Sequence, residues 1–84
     1  MWDATETRTQ RAMQAIEAYV ACHPQAADSV TGIAQWWLAE MATDVPLDNV
    51  LSALERLVRQ QVLVQTVLAD GSTIYRAGPA AAAP

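Results

Sequence analysis

The stretch that decides the fold is Val50-Leu51-Ser52-Ala53-Leu54-Glu55-Arg56-Leu57-Val58, followed after Arg59-Gln60-Gln61 by Val62-Leu63-Val64-Gln65-Thr66-Val67-Leu68. In the first part Val50, Leu51, Leu54, Leu57 and Val58 recur at steps of three and four, the repeat of one helix face. In the second part the period drops to two. Val62, Val64, Thr66 and Leu68 point one way and Leu63, Gln65 and Val67 the other, in a run rich in β-branched residues that favours a strand. Asp70-Gly71 then reads as a two-residue hairpin turn, since both positions tolerate positive φ. That turn predicts a return strand over 72–77, with Val67 facing Ile74, Thr66 facing Tyr75 and Gln65 facing Arg76.

Working back toward the N-terminus, Pro46 fits a first-turn position of this third helix. Before it, Asp28-Ser29 offers an N-cap for a second helix that carries Ile33, Trp36, Trp37, Leu38 and Met41 and runs to about Ala42. A first helix over about 4–22 follows from Ala12, Met13, Ile16, Tyr19 and Val20 at helical spacing, with Arg8, Arg11, Gln14, Glu17 and Ala18 on the other side. Asp3 and Glu6 have the spacing of a capping box, and His23-Pro24 stops the helix because proline disfavours α geometry at the preceding residue. Toward the C-terminus, 78–84 holds neither large apolar groups nor charge. The expectation is a single domain over 1–77 and a flexible, unpacked Ala/Pro tail over 78–84.

The 84 residues allow one small domain at roughly 150 residues per domain, and although 52% are hydrophobic, 17 of those are alanine, so the core is modest. The single Cys22 excludes an intramolecular disulfide. The N-terminus carries acid where a secretory signal carries base, and no apolar run nears the roughly 18 residues of a membrane span. A cytoplasmic protein without membrane contact is expected. Five Lys+Arg, all of them arginine, stand against nine Asp+Glu for a net charge of −4. A generic polyanion binder carries the opposite balance.

The order helix, helix, helix, hairpin, with a short segment before the second helix able to add a third strand, resembles a winged helix-turn-helix domain over about residues 8–77. The carriers of the resemblance are Gly32-Ile33-Ala34, the Val50 to Val58 run, and the wing from Val62-Leu63-Val64 through Asp70-Gly71 to Ile74-Tyr75. It implies an α+β fold of three helices and a C-terminal β-hairpin wing. Two features depart from the family pattern. Gln61 holds the place where the family commonly has glycine, and the connection from Met41 through Val45 is longer than a tight helix-turn-helix turn.

In a DNA-binding member, the resemblance would place the start of the third helix in the major groove and the wing against phosphate. The residues for that task would be Asn49, Ser52, Arg56, Arg59 and, on the wing, Arg76, acting in a dimer. Electrostatics disfavours it: Asp48 leads the helix, Asp44 lies just upstream and Glu55 follows, where counterion release needs cations. The favoured expectation is an acidic module that regulates or interacts by binding another protein or itself, through Trp36, Trp37, Asp48 and Glu55. Neighbouring helical residues point about 100° apart, so one indole of the Trp36-Trp37 pair must be partly exposed, and exposed tryptophan is enriched among interface anchors. Trp2, before the first helix, has three readings: a staple folded back on the helix, an addition to the same patch, or a disordered end.

Cys22-His23 is the only adjacent pair with catalytic or ligand character. A zinc centre needs four ligands and a thiolate nucleophile needs an opposed base, which one adjacent pair does not supply. Gly32, Gly71 and Gly78 are too far apart for a phosphate loop. No enzymatic activity, cofactor, metal or small-molecule substrate is expected.

Overall fold

The computed structural model describes residues 4–82. The Asp3 cap, Trp2 and the last two residues of the tail lie outside them. Helix α1 (Ala4–Cys22) is followed by the short strand β1 (Ala27–Asp28) and by a helical stretch over 30–40, here α2. Helix α3 (Leu47–Arg59) leads into β2 (Leu63–Val67) and β3 (Thr73–Ala77), and a 3-10 turn (Pro79–Ala82) ends the described chain. The three strands form one antiparallel sheet in the order β1-β3-β2. Three helices with a C-terminal hairpin wing make the α+β winged-helix arrangement expected from the sequence.

The amphipathic stripes explain the packing. Ala12, Met13, Ala15, Ile16 and Val20 of α1 meet Val50, Ala53, Leu54 and Leu57 of α3, and Ile33, Trp37 and Leu38 of α2 close the core with Leu63 of β2. Truncating one of the large members, such as Leu57, to alanine costs about 2–5 kcal/mol. Helix α1 ends as the sequence predicts, with the His23 N–H donating to the Tyr19 carbonyl at 2.8 Å just ahead of Pro24. Ser29 caps α2, its hydroxyl accepting the Gly32 N–H at 3.2 Å. Pro46 stands one position earlier than expected, as the N-cap of α3 rather than inside its first turn.

Within α2 one turn, Ile33–Trp37, is a π turn, closed by the Leu38 N–H on the Ile33 carbonyl. Such turns occur mostly as single insertions in α-helices. The wider turn brings Ile33, Trp37 and Leu38 onto one buried face, and Trp36 is left 67% exposed while Trp37 is 2% exposed. The buried indole stacks on Tyr19, with ring centroids 4.7 Å apart and planes 13° from parallel. Tyr19 in turn meets the His23 ring at 4.4 Å.

Two helix ends are made without glycine. At α3 the Gln61 N–H donates to Val58 and the Val62 N–H to Leu57, at 3.0 and 2.9 Å, the paired bonds of a Schellman cap. The cap puts Gln61 at φ 65°, so a residue other than glycine takes the conformation that glycine favours. At the end of α2, Ala42 does the same at φ 52°, with Thr43 N–H on the Leu38 carbonyl.

The hairpin register differs by one residue from the expectation. Leu63 pairs with Ala77, Val64 with Arg76, Gln65 with Tyr75, Thr66 with Ile74 and Val67 with Thr73. The loop is Ala69-Asp70-Gly71, closed by the Leu68 N–H on Ser72 at 2.7 Å, and within it only Gly71 has positive φ, 88°. Asp70 keeps an ordinary backbone and spends its carboxylate on the N–H and hydroxyl of Ser72. Those bonds hold its carboxyl below the usual range. Burial selects this register: it puts Tyr75 and Ala77 on the face of Leu63, packed against the core, whereas Tyr75 opposite Thr66 would turn outward.

The expected unpacked tail is also corrected over 78–82. Gly78 is buried, its N–H donates to Val62 at 2.7 Å, and Ala80 N–H donates to Gln61 at 2.9 Å, so the tail satisfies carbonyls at the end of α3. A Cβ at Gly78 would collide with the Gln61 carbonyl. Ala81 packs on the core.

Candidate docking surface

Helix α3 divides its residues between two tasks. Its polar residues nearest α1 fasten the two helices together. Asn49 is 4% exposed, and its amide donates to the Thr5 carbonyl at 3.0 Å and the Thr9 hydroxyl at 3.1 Å. Two turns on, Arg56 forms a bidentate pair with Glu6, Nη1 to Oε1 at 2.6 Å and Nη2 to Oε2 at 2.8 Å. The guanidinium holds the Glu6 carboxyl at about 2, below its ordinary 4.5, with a smaller contribution from the Gln10 amide. The same pair raises Arg56.

This corrects the expected exposed placement of Asn49 and pairs Arg56 within the chain. Asn49 does not lie on the exposed face and has its donors committed inside the protein, and the Arg56 fork is filled by a carboxylate. Arg59 is exposed but joins Glu55 at 3.0 Å. Ser52, Glu55, Arg56 and Arg59 line a shallow polar groove of ≈ 260 Å³. Arg76 is exposed on β3, remote in sequence from the start of α3.

The second task belongs to the outward stripe. Leu47 is 55% and Leu51 45% exposed, one turn apart, with Asp48, Ser52 and Glu55 exposed beside them. Leu51, Glu55 and Val58 face Gln65 and Tyr75 of the wing across a groove of ≈ 320 Å³. Val67, on the same sheet face as Gln65, carries this apolar surface outward at 66% exposure. Two leucines one turn apart on α3 and a valine on β2, bordered by Asp48 and Glu55, form an exposed apolar surface with an acidic rim. Leu47, Leu51 and Val67 were not among the expected interface residues. For Leu51 the continuous Val50 to Val58 stripe held the signal, being too wide for one buried face.

Of the expected interface residues, Asp48 and Glu55 lie on this stripe, Trp36 stands exposed on α2, and Trp37 is inside the core and contributes no surface. Among the described residues no hydrogen bond links Cys22 to His23; His23 Nε2 lies 3.6 Å from the Glu40 carboxylate, joining the ends of α1 and α2. Among the described residues no group of three His, Cys, Asp or Glu side chains could hold a metal ion. A groove of ≈ 630 Å³ along Thr7, Gln10, Arg11 and Gln14 of α1 contains no acid–base pair. No described helix is long and apolar enough to cross a membrane. No family model, curated protein or solved structure matches the chain.

Proposed function

We propose that this chain is a non-enzymatic member of the winged-helix superfamily that works in regulation or assembly by docking a protein partner on the outward stripe of α3. A cytoplasmic setting fits its single unpaired thiol. The observation that carries the proposal is the division of labour on α3. Asn49 and Arg56 are consumed in holding α1, Arg59 is matched by Glu55, and Leu47, Asp48 and Leu51 are left for an outside surface. Phosphate meets Asp48, an acid without an ion pair among the described residues, at the start of this helix, and an apolar helix or strand with basic flanks meets two leucines and a groove.

The test is a photo-crosslinking amino acid placed at position 51 in the source cell. The proposal expects a discrete adduct that protease removes and nuclease leaves intact; a nuclease-sensitive adduct overturns it. The alternative, a dimeric DNA-binding regulator, is favoured by one observation: Arg76 on the wing, with Arg8 and Arg11 on α1, forms no ion pair among the described residues.

A further inference from the structure

The sheet has two unlike edges. β1 is two residues long and carries Asp28, a blunted edge. β2 is the other edge, with no strand beyond it among the described residues. The bonds Leu68 N–H to Ser72 and Gly78 N–H to Val62 bracket the β2–β3 ladder. In an antiparallel pair, residues alternate between bonding the neighbour and pointing away. The N–H and C=O groups of Val64 and Thr66 therefore face β3, and those of Leu63, Gln65 and Val67 face outward along the free edge.

Natural edges are protected by lysine, proline, bulges or charge. From Val62 through Ala69 this chain has none of these, and Gly71 follows only in the loop. We infer that the open edge of β2 pairs antiparallel with β2 of a second copy about a twofold axis at Gln65, joining two wings into one six-stranded sheet.

The sequence of the strand argues for this occupant. Centring the pairing on Gln65 opposes Leu63 to Val67 of the partner and Val64 to its Thr66. All three residues with outward backbone groups then oppose outward-facing residues of the partner, Gln65 its own copy and Leu63 and Val67 each other, giving three bonded pairs and six backbone hydrogen bonds, two per pair. Val67, 66% exposed in the single chain, comes to rest beside the partner's Leu63, where the sheet meets the core. Two chains of net charge −4 repel as wholes, but the paired segment is uncharged, so no like charges oppose each other in the register. The edge shares Gln65 and Val67 with the surface beside α3, whereas Leu51 belongs to the helix alone, so Leu51→Arg tests the α3 stripe separately.

The experiment is sedimentation of the full chain from about 1 μM to about 1 mM, the span of weak interfaces. It is run for wild type, Gln65→Pro, Val67→Lys and Leu51→Arg, with circular dichroism to verify folding. Gln65→Pro is chosen because its N–H faces outward, a position where an edge strand tolerates proline. Wild type and Leu51→Arg should pass from monomer to dimer with rising concentration, and Gln65→Pro and Val67→Lys should stay monomeric with unchanged helical signal. If Gln65→Pro fails to fold, Val67→Lys alone decides. A wild type that is monomeric at 1 mM overturns the inference, as does a dimer that survives Val67→Lys. A dimer lost in Leu51→Arg, with or without loss in Val67→Lys, moves self-association to α3 and also overturns it.

Discussion

Glu6 and Arg56 stand 50 positions apart in the chain and close a two-pronged ion pair across the α1–α3 interface. The arginine that a helical wheel assigns to an outside ligand is thereby a clamp between helices. The pair is half-exposed, so its worth is screened by solvent and is best read through its pH dependence.

Glu6 is held at about 2 against an ordinary value of 4.5. A depressed carboxylate contributes stability that is complete above its unfolded value and is lost as pH falls through the folded one. Wild type should therefore exceed Glu6→Gln in urea midpoint at pH 7, and the two should converge between about pH 4.5 and 2. Parallel curves across that window would remove the pair from the account.

Asn49→Ala leaves the buried Thr9 hydroxyl without its partner, and a buried unsatisfied group costs about 1–3 kcal/mol. The loss should appear as a lower denaturant midpoint with an unchanged slope. A stability equal to wild type would return Asn49 to the surface and to the list of possible base-reading residues.

The indoles should separate cleanly. Trp37→Ala opens a hole beneath Tyr19 and should cost about 3–5 kcal/mol, whereas Trp36→Ala should fall within about 0.5 kcal/mol of wild type. In single-tryptophan backgrounds, iodide should quench Trp36 and spare Trp37.

Gln61→Gly and Ala42→Gly relieve left-handed backbone that costs an ordinary residue roughly 1–2 kcal/mol, offset in part by the freer unfolded chain. Each should raise the melting temperature. Gly78→Ala should lower it, because its Cβ has no room beside Gln61.

Much of the fold was legible because period alone distinguishes helix from strand. The Val50 to Val58 stripe, the alternation from Val62 and the His23-Pro24 stop correspond to α3, β2 and the end of α1. Asp70-Gly71 located the hairpin but misplaced its register, since the same dipeptide serves a two-residue turn and a three-residue loop. The choice was made by Tyr75 needing the core face, which is tertiary information. The site was less legible. A helical wheel shows Asn49 and Arg56 as polar and therefore outward, and only the polar positions Thr5, Glu6 and Thr9 on α1 hinted at an internal use for them. The tail was misread because Ala81 needs little area to pack and its neighbours' N–H groups found carbonyls at the end of α3.

The central claim is that α3 presents acid and leucine to the outside while Arg56 and Arg59 are paired with Glu6 and Glu55 of the same chain. Its most direct test is an anisotropy titration of a labelled duplex of randomised sequence with the full chain at 50 mM salt, where counterion release is strongest. The account predicts no saturable binding up to about 100 μM, the upper range of non-specific affinities. Saturation in the low micromolar range that weakens steeply with added salt, and that Arg76→Ala diminishes, would contradict it.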